Sequence, residues 1–354
     1  AENNEYAFHS HNTKLTCVFY LQSKQDCYGL RLKKPEIIFP SIENSIIIFD
    51  GSVSHDFDLD IKPFQVGQSA QLQHGTDRHE SFLRGQYDVA EFSMSSFLAA
   101  KTRGYPIVGI PVFPRRLFST SQMWVSLDSQ ITEPSHLIGR SVALSAFQTT
   151  LSLLAKGDLE FHYEVPWRSI HWKLTTQEKI PLEHGPDVSV EFIGERDRLG
   201  DRLQSGEIDA FFLPHPPANV MSGEIPARRL FLDPELEEER YFDEVGSFPI
   251  MHVIAIQESL ANKSLGLPLE LMEIFHSAFD IAEGYYEDPN WSMLPGCRHQ
   301  FERDRERFKH KAWLRGFEAN QSNVDMLMQY AVDQGISAEY MPPEALFAEA
   351  TLET

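Results

Sequence analysis

The sequence predicts an α/β protein built from two lobes, and three observations favour this fold class. A chain of 354 residues is long enough for two domains of about 150 residues each. Strand-like apolar runs alternate with runs of helical spacing, which predicts mainly parallel sheets flanked by helices. A helix–glycine–strand unit also occurs twice, at 82–90 and at 203–211. This repeat indicates two lobes of related build.

The strand candidates are short and apolar, and several end at turn residues such as Asp50-Gly51 or Pro114. They are Leu15–Tyr20, Ile37–Phe39, Ser45–Phe49, Phe57–Phe64, Tyr87–Phe92, Ile107–Phe113, Met123–Leu127, Ser141–Leu144, Val188–Ile193, Ile208–Leu213 and Ile250–Ile256. Apolar residues at helical spacing, with glycine or proline at several ends, predict the helices. These are 77–86, Met94–Arg103, Phe147–Ala155, Arg196–Gln204, Leu269–Tyr286, Phe301–His310, Glu318–Gln334 and Pro342–Phe347.

The order of these elements predicts the domain boundaries. Residues 1–13 are polar and aperiodic, and we expect a loose terminus there. The first lobe is predicted to combine residues 14–122 with 249–354, and the second to span 123–248. Ligands of parallel sheets bind beyond the carboxyl ends of the strands, and clefts between lobes are common ligand sites. The sequence therefore predicts a ligand cleft between the two lobes.

The charge and cysteine content narrow the classes of function. The net charge is −21, with 31 Lys and Arg against 52 Asp and Glu, which argues against nucleic acid and anionic membranes as partners. With 42% hydrophobic residues the chain can form a full core. Only three cysteines occur, without a C-x-x-C pair, and no signal peptide is visible at the start. We therefore expect reduced thiols and a cytoplasmic location.

Candidate site residues of the first lobe follow its strands. Ser93, Ser95 and Ser96 open a helix directly after Tyr87–Phe92, where hydroxyls and backbone amides suit an anion. Glu91 lies inside that apolar strand and needs a partner or a raised pKa. After the next strand, two adjacent arginines lie between prolines and aromatic residues, and arginine binds carboxylates in a bidentate manner. The substrate-binding candidates of this stretch are Arg115, Arg116 and Phe118.

The second lobe and the histidines supply further candidates. Gln148 and Thr149 start a predicted helix and offer neutral donors and acceptors to the cleft. Three histidines lie in or beside apolar sequence: His252 within a strand, His171 before Trp172, and His215 among prolines at a strand end. Imidazole is the usual proton carrier near neutral pH, although such histidines often serve only the core. Plain helix capping and surface ion pairs remain alternative explanations for the other candidates.

No sequence motif for a cofactor is present. The chain lacks a G-x-G-x-x-G after a strand, a P-loop, a G-x-S-x-G and an H-E-x-x-H. We therefore expect no cofactor, and a divalent metal stays open. The expected partner is a small carboxylic acid, and an apolar helix face would permit a homodimer.

Several of these stretches together resemble the 4,5-dihydroxyphthalate decarboxylase family, which has the two-lobed fold of type II periplasmic solute-binding proteins. The similarity covers about residues 55 to 348. The stretches that carry it are Tyr87–Ser96, Gly109–Phe118, Gly206–Ala210, Phe248–His252, Gly316–Asn320 and Pro343–Phe347. Two features depart from the family pattern. Leu21-Gln-Ser-Lys replaces a Gly-Asp-Tyr-Asp type of turn at the start of the divergent segment 21–56, and His215 stands where arginine is usual.

The resemblance implies a carboxy-lyase that protonates the ring carbon bearing the carboxylate. It implies His252 as the proton donor and Glu91 or His171 as the second titrating group. Arg115 and Arg116 would anchor anions, while Ser95, Ser96, Gln148 and Thr149 would orient substrate oxygens. Because the departing carboxylate loses its charge, an arginine should hold another anionic group.

Two other functions stay open at this point. A solute-binding protein would use the same cleft for capture without turnover. A related enzyme could instead transform a biosynthetic intermediate, since the divergent segment and His215 would alter the cleft. Binding without turnover separates the first of these from a decarboxylase.

Overall fold

The computed structural model describes residues 78–354, except 179, 289–294 and 310, together with four two-residue strands closer to the N-terminus. Strand β1 (Val18–Phe19) pairs antiparallel with β4 (Gln65–Val66), and β2 (Glu36–Ile37) pairs parallel with β3 (Asp60–Ile61). Several predictions lie outside the described residues. These are the loose terminus 1–13, the turn at Leu21, the strand Ser45–Phe49, and the state of Cys17 and Cys27.

The remaining elements alternate between strands and helices, as the sequence predicts. The strands are β5 (Val89–Ser93), β6 (Ile107–Ile110), β7 (Met123–Ser126), β8 (Ser141–Leu144), β9 (His171–Leu174), β10 (Val190–Phe192), β11 (Ala210–Phe212), β12 (Ala227–Arg229) and β13 (His252–Gln257). The helices are α1 (Arg78–Leu83), α2 (Met94–Thr102), α3 (Thr150–Phe161), α4 (Leu199–Ser205), α5 (Ala218–Met221), α6 (Pro234–Val245), α7 (Glu258–Lys263), α8 (Leu267–Glu287), α9 (Cys297–Arg307) and α10 (Gln321–Asp333). None of these described helices has the length and apolar content needed to cross a membrane.

Two sheets organise the described chain. The larger has the order β10-β9-β8-β11-β7-β12, and its first four strands are parallel. The smaller has the order β5-β13-β6, and β13 is antiparallel to both neighbours. The α/β class is confirmed, but the expectation of a mainly parallel sheet in each lobe needs correction for the smaller sheet.

The antiparallel strands have a common topological cause. Strands β7 and β13 are each the first strand after the chain passes from one sheet to the other. Met123 therefore pairs with Phe212 at the end of β11, and His252 pairs with Ser93 at the end of β5. Each of these two strands therefore starts at the sheet edge where its antiparallel partner, β11 or β5, ends. We call these two sheet edges, taken together, the cleft edge.

Burial explains why some sequence patterns misled. All five residues of β5 are buried, so this strand reads as continuously apolar around Glu91.

Helix α3 was predicted to end at Lys156-Gly157, but it continues to Phe161. Gly157 instead permits a close helix contact, because a Cβ there would lie 2.0 Å from the Tyr330 ring. The glycine thus marks the packing of α3 against α10 and not a helix end.

Candidate functional site

The cleft edge brings together side chains that are far apart in sequence. Ser93 ends β5, Arg115 follows β6, and His252 begins β13. The loops after β8, β9, β10 and β11 lie at the corresponding edge of the larger sheet. Ser93 Oγ lies 2.7 Å from Thr150 Oγ1, so the two edges are in direct contact.

Glu91 and His252 form a buried hydrogen-bonded pair between His252 Nδ1 and a carboxylate oxygen of Glu91. The exposed fractions are 1% for Glu91 and 7% for His252. Register explains the pairing: His252 is opposite Ser93, so Glu91 is its diagonal neighbour on the same face of the sheet. A carboxylate that holds one imidazole nitrogen fixes the tautomer and stabilises the protonated ring. The pair therefore has the arrangement of a general acid and its orienting group.

Arg115 lies beside this pair and is partly exposed. Its backbone carbonyl accepts hydrogen bonds from the amides of Met251 (2.9 Å) and His252 (3.3 Å). Burial lowers the pKa of the guanidinium, and the nearby Glu91 carboxylate opposes that shift. The planar guanidinium of Arg115 can receive an anion such as a carboxylate.

Arg116, the adjacent residue, has a different environment. Its guanidinium is 2% exposed and donates to the carbonyls of Phe248 (2.6 Å) and Leu314 (3.0 Å) and to Asn320 Oδ1 (2.5 Å). Burial lowers its pKa to about 9. These bonds tie the two segments that cross between the sheets (116–122 and 246–251, the crossing segments) to residues 314–320. The structure thus gives Arg116 a structural environment in place of the predicted substrate contact.

The loop before α3 contacts the serines of the first sheet. The hydroxyl of Thr150 accepts a hydrogen bond from the backbone amide of Ser95 at 3.1 Å. The hydroxyl of Thr149 caps α3 by accepting from the amide of Ser152 at 3.3 Å. Ser95 is fully buried and Ser96 nearly so. Polar groups from both sheets therefore meet where the sequence predicts a cleft.

A carboxylate of the protein itself occupies the amides of this loop. Glu178 accepts from the backbone N–H groups of Phe147 (2.5 Å) and Gln148 (3.2 Å). Burial raises the Glu178 pKa, and these two amides oppose the shift. The Gln148 amide nitrogen donates to the Ile180 carbonyl at 2.5 Å. The Gln148 side chain is thus held by the loop that follows β9.

His215 and Arg196 form a second polar group at the cleft edge. Arg196 Nη2 donates to the His215 carbonyl at 2.9 Å. His215 is an exposed residue, while the burial of its imidazole ring and the charges of Arg115 and Arg196 lower its pKa to about 4. The imidazole is therefore neutral near pH 7, and Arg115 lies close enough to act on it from the other sheet.

Two predicted site residues lie elsewhere. His171 is exposed, opens β9 and pairs with Ser141 at the start of β8, so it lies at the edge opposite the cleft edge. Phe118 is buried and stacks on Phe248, with ring centroids 4.6 Å apart, in an aromatic cluster beside the crossing segments.

Sequence reasoning missed Arg196 and Glu178. Both follow a parallel strand, β10 and β9 respectively, so the strand-end rule had the signal to find them. Arg196 was assigned to the predicted helix 196–204 and was not considered as a site residue. Glu178 was missed because β9, the strand it follows, was not predicted. Among the residues that the structure describes, no cluster of three His, Cys, Asp or Glu side chains suits a metal ion.

Comparison with known proteins gives two curated relatives. One is a "4,5-dihydroxyphthalate decarboxylase" of Comamonas testosteroni, 29% identical over 283 residues, which covers 77% of this chain and 86% of the relative. The other is a protein of the same name from Pseudomonas putida, 28% identical over 44% of this chain and 63% of the relative. No protein-family model matches the chain.

Solved structures share the fold at low sequence identity. The periplasmic aliphatic sulphonate binding protein SsuA of Escherichia coli superposes with a TM-score of 0.50 at 12% identity, over 78% of this chain and 84% of that one. A periplasmic sulfonate-binding protein of Methylobacillus flagellatus gives 0.52 at 9% identity, over 86% and 85% of the two chains. The fold is thus that of periplasmic binding proteins. Together with the two relatives, this confirms the predicted resemblance of the chain to the 4,5-dihydroxyphthalate decarboxylase family.

Proposed function

We propose that this protein is a cofactor-independent carboxy-lyase that acts on a small hydroxylated aromatic or related carboxylic acid. The observation that carries the proposal is the buried Glu91–His252 pair beside Arg115 at the cleft edge. The names of the two curated relatives support the same reaction class. No step requires a cofactor, because a protonated imidazole and the electrons of a hydroxylated ring suffice.

The proposed chemistry begins with proton transfer. The doubly protonated imidazole of His252 gives its Nε2 proton to the substrate ring carbon that bears the carboxylate. Its Nδ1–H remains hydrogen-bonded to Glu91. The bond between the ring and the carboxylate then breaks, its electron pair restores the aromatic ring, and carbon dioxide leaves. A ring hydroxyl stabilises the cationic intermediate. Solvent returns the proton to His252.

Burial favours this mechanism energetically. Glu91 stabilises the imidazolium in a site with little water, where charge interactions are stronger than in solution. A tight clamp on the departing carboxylate would oppose the reaction, because that group loses its charge in the transition state. We therefore assign Arg115 to an anionic group that the substrate keeps.

A binding protein is the second candidate function. It is favoured by the fold, since two of the solved neighbours are named as binding proteins. Such a protein needs a cleft that captures a ligand, but it has no use for a buried acid–imidazole pair. The pair therefore favours the enzyme.

The test is turnover measured beside binding. Purified protein is incubated with 4,5-dihydroxyphthalate and with 3,4-dihydroxybenzoate, and carbon dioxide release is followed. Calorimetry under the same conditions measures affinity. Release that disappears in His252→Gln supports the enzyme. Tight binding of either acid without release, in wild type, would instead establish a capture protein.

Three expectations stay predictions alongside this function. They are the division into lobes 14–122 with 249–354 and 123–248, the cytoplasmic location and the homodimer.

A further inference from the structure

Three basic groups from two sheets meet at the cleft edge. Arg115 follows β6, Arg196 follows β10, and His215 follows β11. The Arg196 guanidinium is anchored at one nitrogen, since Nη2 donates to the His215 carbonyl at 2.9 Å. Arg115 and Arg196 both act electrostatically on the His215 imidazole. Two arginines, one from each sheet, therefore lie within electrostatic reach of the same neutral side chain.

The charge of this group is not balanced by ion pairs. Within the described part of the chain, neither Arg115 nor Arg196 has a carboxylate oxygen within the 4.0 Å of an ion pair. Arg198 and Arg202, which also follow β10, both form ion pairs with Glu195, at 3.3 and 3.2 Å. The Glu91 carboxylate raises the pKa of Arg115 electrostatically, but its hydrogen bond is with His252.

Partial burial makes this imbalance informative. Arg196 is half-buried, and this partial loss of hydration lowers the pKa of its guanidinium. Asp197, its chain neighbour, is the acid that opposes the shift. A partly dehydrated cation is stabilised when an anion binds beside it, and both Arg115 and Arg196 lie within electrostatic reach of His215.

We propose that Arg196 is a substrate-binding residue that, together with Arg115, holds the anionic group the substrate keeps during the reaction. The inference rests on the proposed function and adds a residue of the second sheet to the site. Arg196 is fixed by the His215 carbonyl, so its remaining donors are oriented before the substrate binds. A clamp on the departing carboxylate would oppose its loss. Arg196 is therefore assigned to the second anionic group, where it raises affinity without opposing the reaction.

Calorimetry with two non-reacting probes tests the proposal. Phthalate carries two carboxylates and benzoate carries one. We expect wild type to bind phthalate at least about tenfold more tightly than benzoate, the effect of one good charge-assisted contact. Arg196→Gln is expected to reduce this ratio to about twofold or less. Arg198→Gln, a change in the same short 3₁₀ turn, is the matched control and should leave the ratio unaltered.

The outcomes are distinguishable from a failure of the proposed function. A wild-type protein that binds both probes equally, or an Arg196→Gln variant with the wild-type ratio, overturns the proposal. If Arg196→Gln does not fold, Arg196→Lys keeps the charge but loses the planar fork, and an intermediate ratio supports the assignment while an unchanged ratio overturns it. If the ratio responds as expected but no substrate is decarboxylated, Arg196 remains a binding residue and only the enzymatic function fails.

Discussion

The cleft edge and the region around the crossing segments (116–122 and 246–251) each contain an acid and an arginine, yet these groups have different partners. At the cleft edge, Glu91 is bonded to a titratable imidazole, and Arg115 has no ion pair among the described residues. Beside the crossing segments, Asp158 accepts hydrogen bonds from the hydroxyls of Ser119 (2.5 Å), Tyr241 (2.9 Å) and Tyr330 (3.3 Å).

The arginines repeat the contrast. All described partners of the Arg116 guanidinium are fixed groups of the protein, namely two carbonyls and Asn320. Residue type and burial are therefore poor guides to function in this molecule. The informative property is the partner of the charged group. A charge whose partners do not titrate is structural, whereas a charge paired with a titratable group, or left without an ion pair, is available for chemistry or for a ligand.

The largest expected effect breaks the cleft-edge pair. His252→Gln keeps a polar side chain of similar size but removes the proton donor. We expect kcat for decarboxylation to fall about a thousandfold, the usual contribution of general acid catalysis. The rate of carbon dioxide release at saturating substrate measures it. Glu91→Gln should act in the same direction with a smaller loss, and a melting temperature within a few degrees of wild type shows that both variants fold.

Arg116→Gln tests the other side of the comparison. It leaves two carbonyls and Asn320 without their buried donor, so we expect the free energy of unfolding to fall by about 3 kcal/mol. Urea denaturation measures the loss. Arg140→Gln is the control, because its 3.5 Å contact with Asp209 is at the surface and should be worth less than about 1 kcal/mol. A stable Arg116→Gln protein with weakened substrate binding would contradict the structural assignment.

Asp158 gives a pH-dependent prediction. Burial raises its pKa to about 6, above the ordinary value of 3.8. The folded state therefore holds the proton more tightly than the unfolded state, and this contribution to stability is present below about pH 4 and is lost as the pH rises through 6. Asp158→Asn cannot titrate. The stability of wild type relative to this variant should fall by about 2 kcal/mol between pH 4 and pH 7.

Denaturation curves of both proteins at several pH values measure that difference. A difference independent of pH would show that Asp158 keeps an ordinary pKa in the folded protein. Turnover of Asp158→Asn at a fixed pH should stay within about threefold of wild type, since the residue has no place in the proposed chemistry.

The smallest expected effect concerns Arg115. Arg115→Gln should raise KM about tenfold, equivalent to about 1.4 kcal/mol, and change stability little, because its guanidinium supports no described ion pair. Steady-state kinetics across substrate concentrations separates KM from kcat. Equal losses of stability in Arg115→Gln and Arg116→Gln would remove the contrast between the two adjacent arginines.

Much of the fold was predictable because local patterns report it. The strand at Ser141–Leu144 has the predicted bounds, and α8 begins and ends within two residues of the predicted helix. Strand β9 was missed although its residues alternate between exposed or half-buried polar side chains and buried apolar ones, because four residues make only a short alternation. Gly157 was misread because a helix-contact glycine and a helix-stop glycine are alike in sequence.

The sequence by itself determined the α/β class, the crossing near residue 122 and the strand ends that carry polar residues, because these follow from apolar periodicity and turn chemistry. It also singled out Glu91 and His252, since an acid and an imidazole inside apolar strands need partners. Only the tertiary structure decided that they partner each other. It also separated Arg115 from Arg116 and brought Arg196 to the His215 carbonyl. Those outcomes depend on strand register and on which residues the second sheet brings close, and neither is encoded within a short stretch of chain.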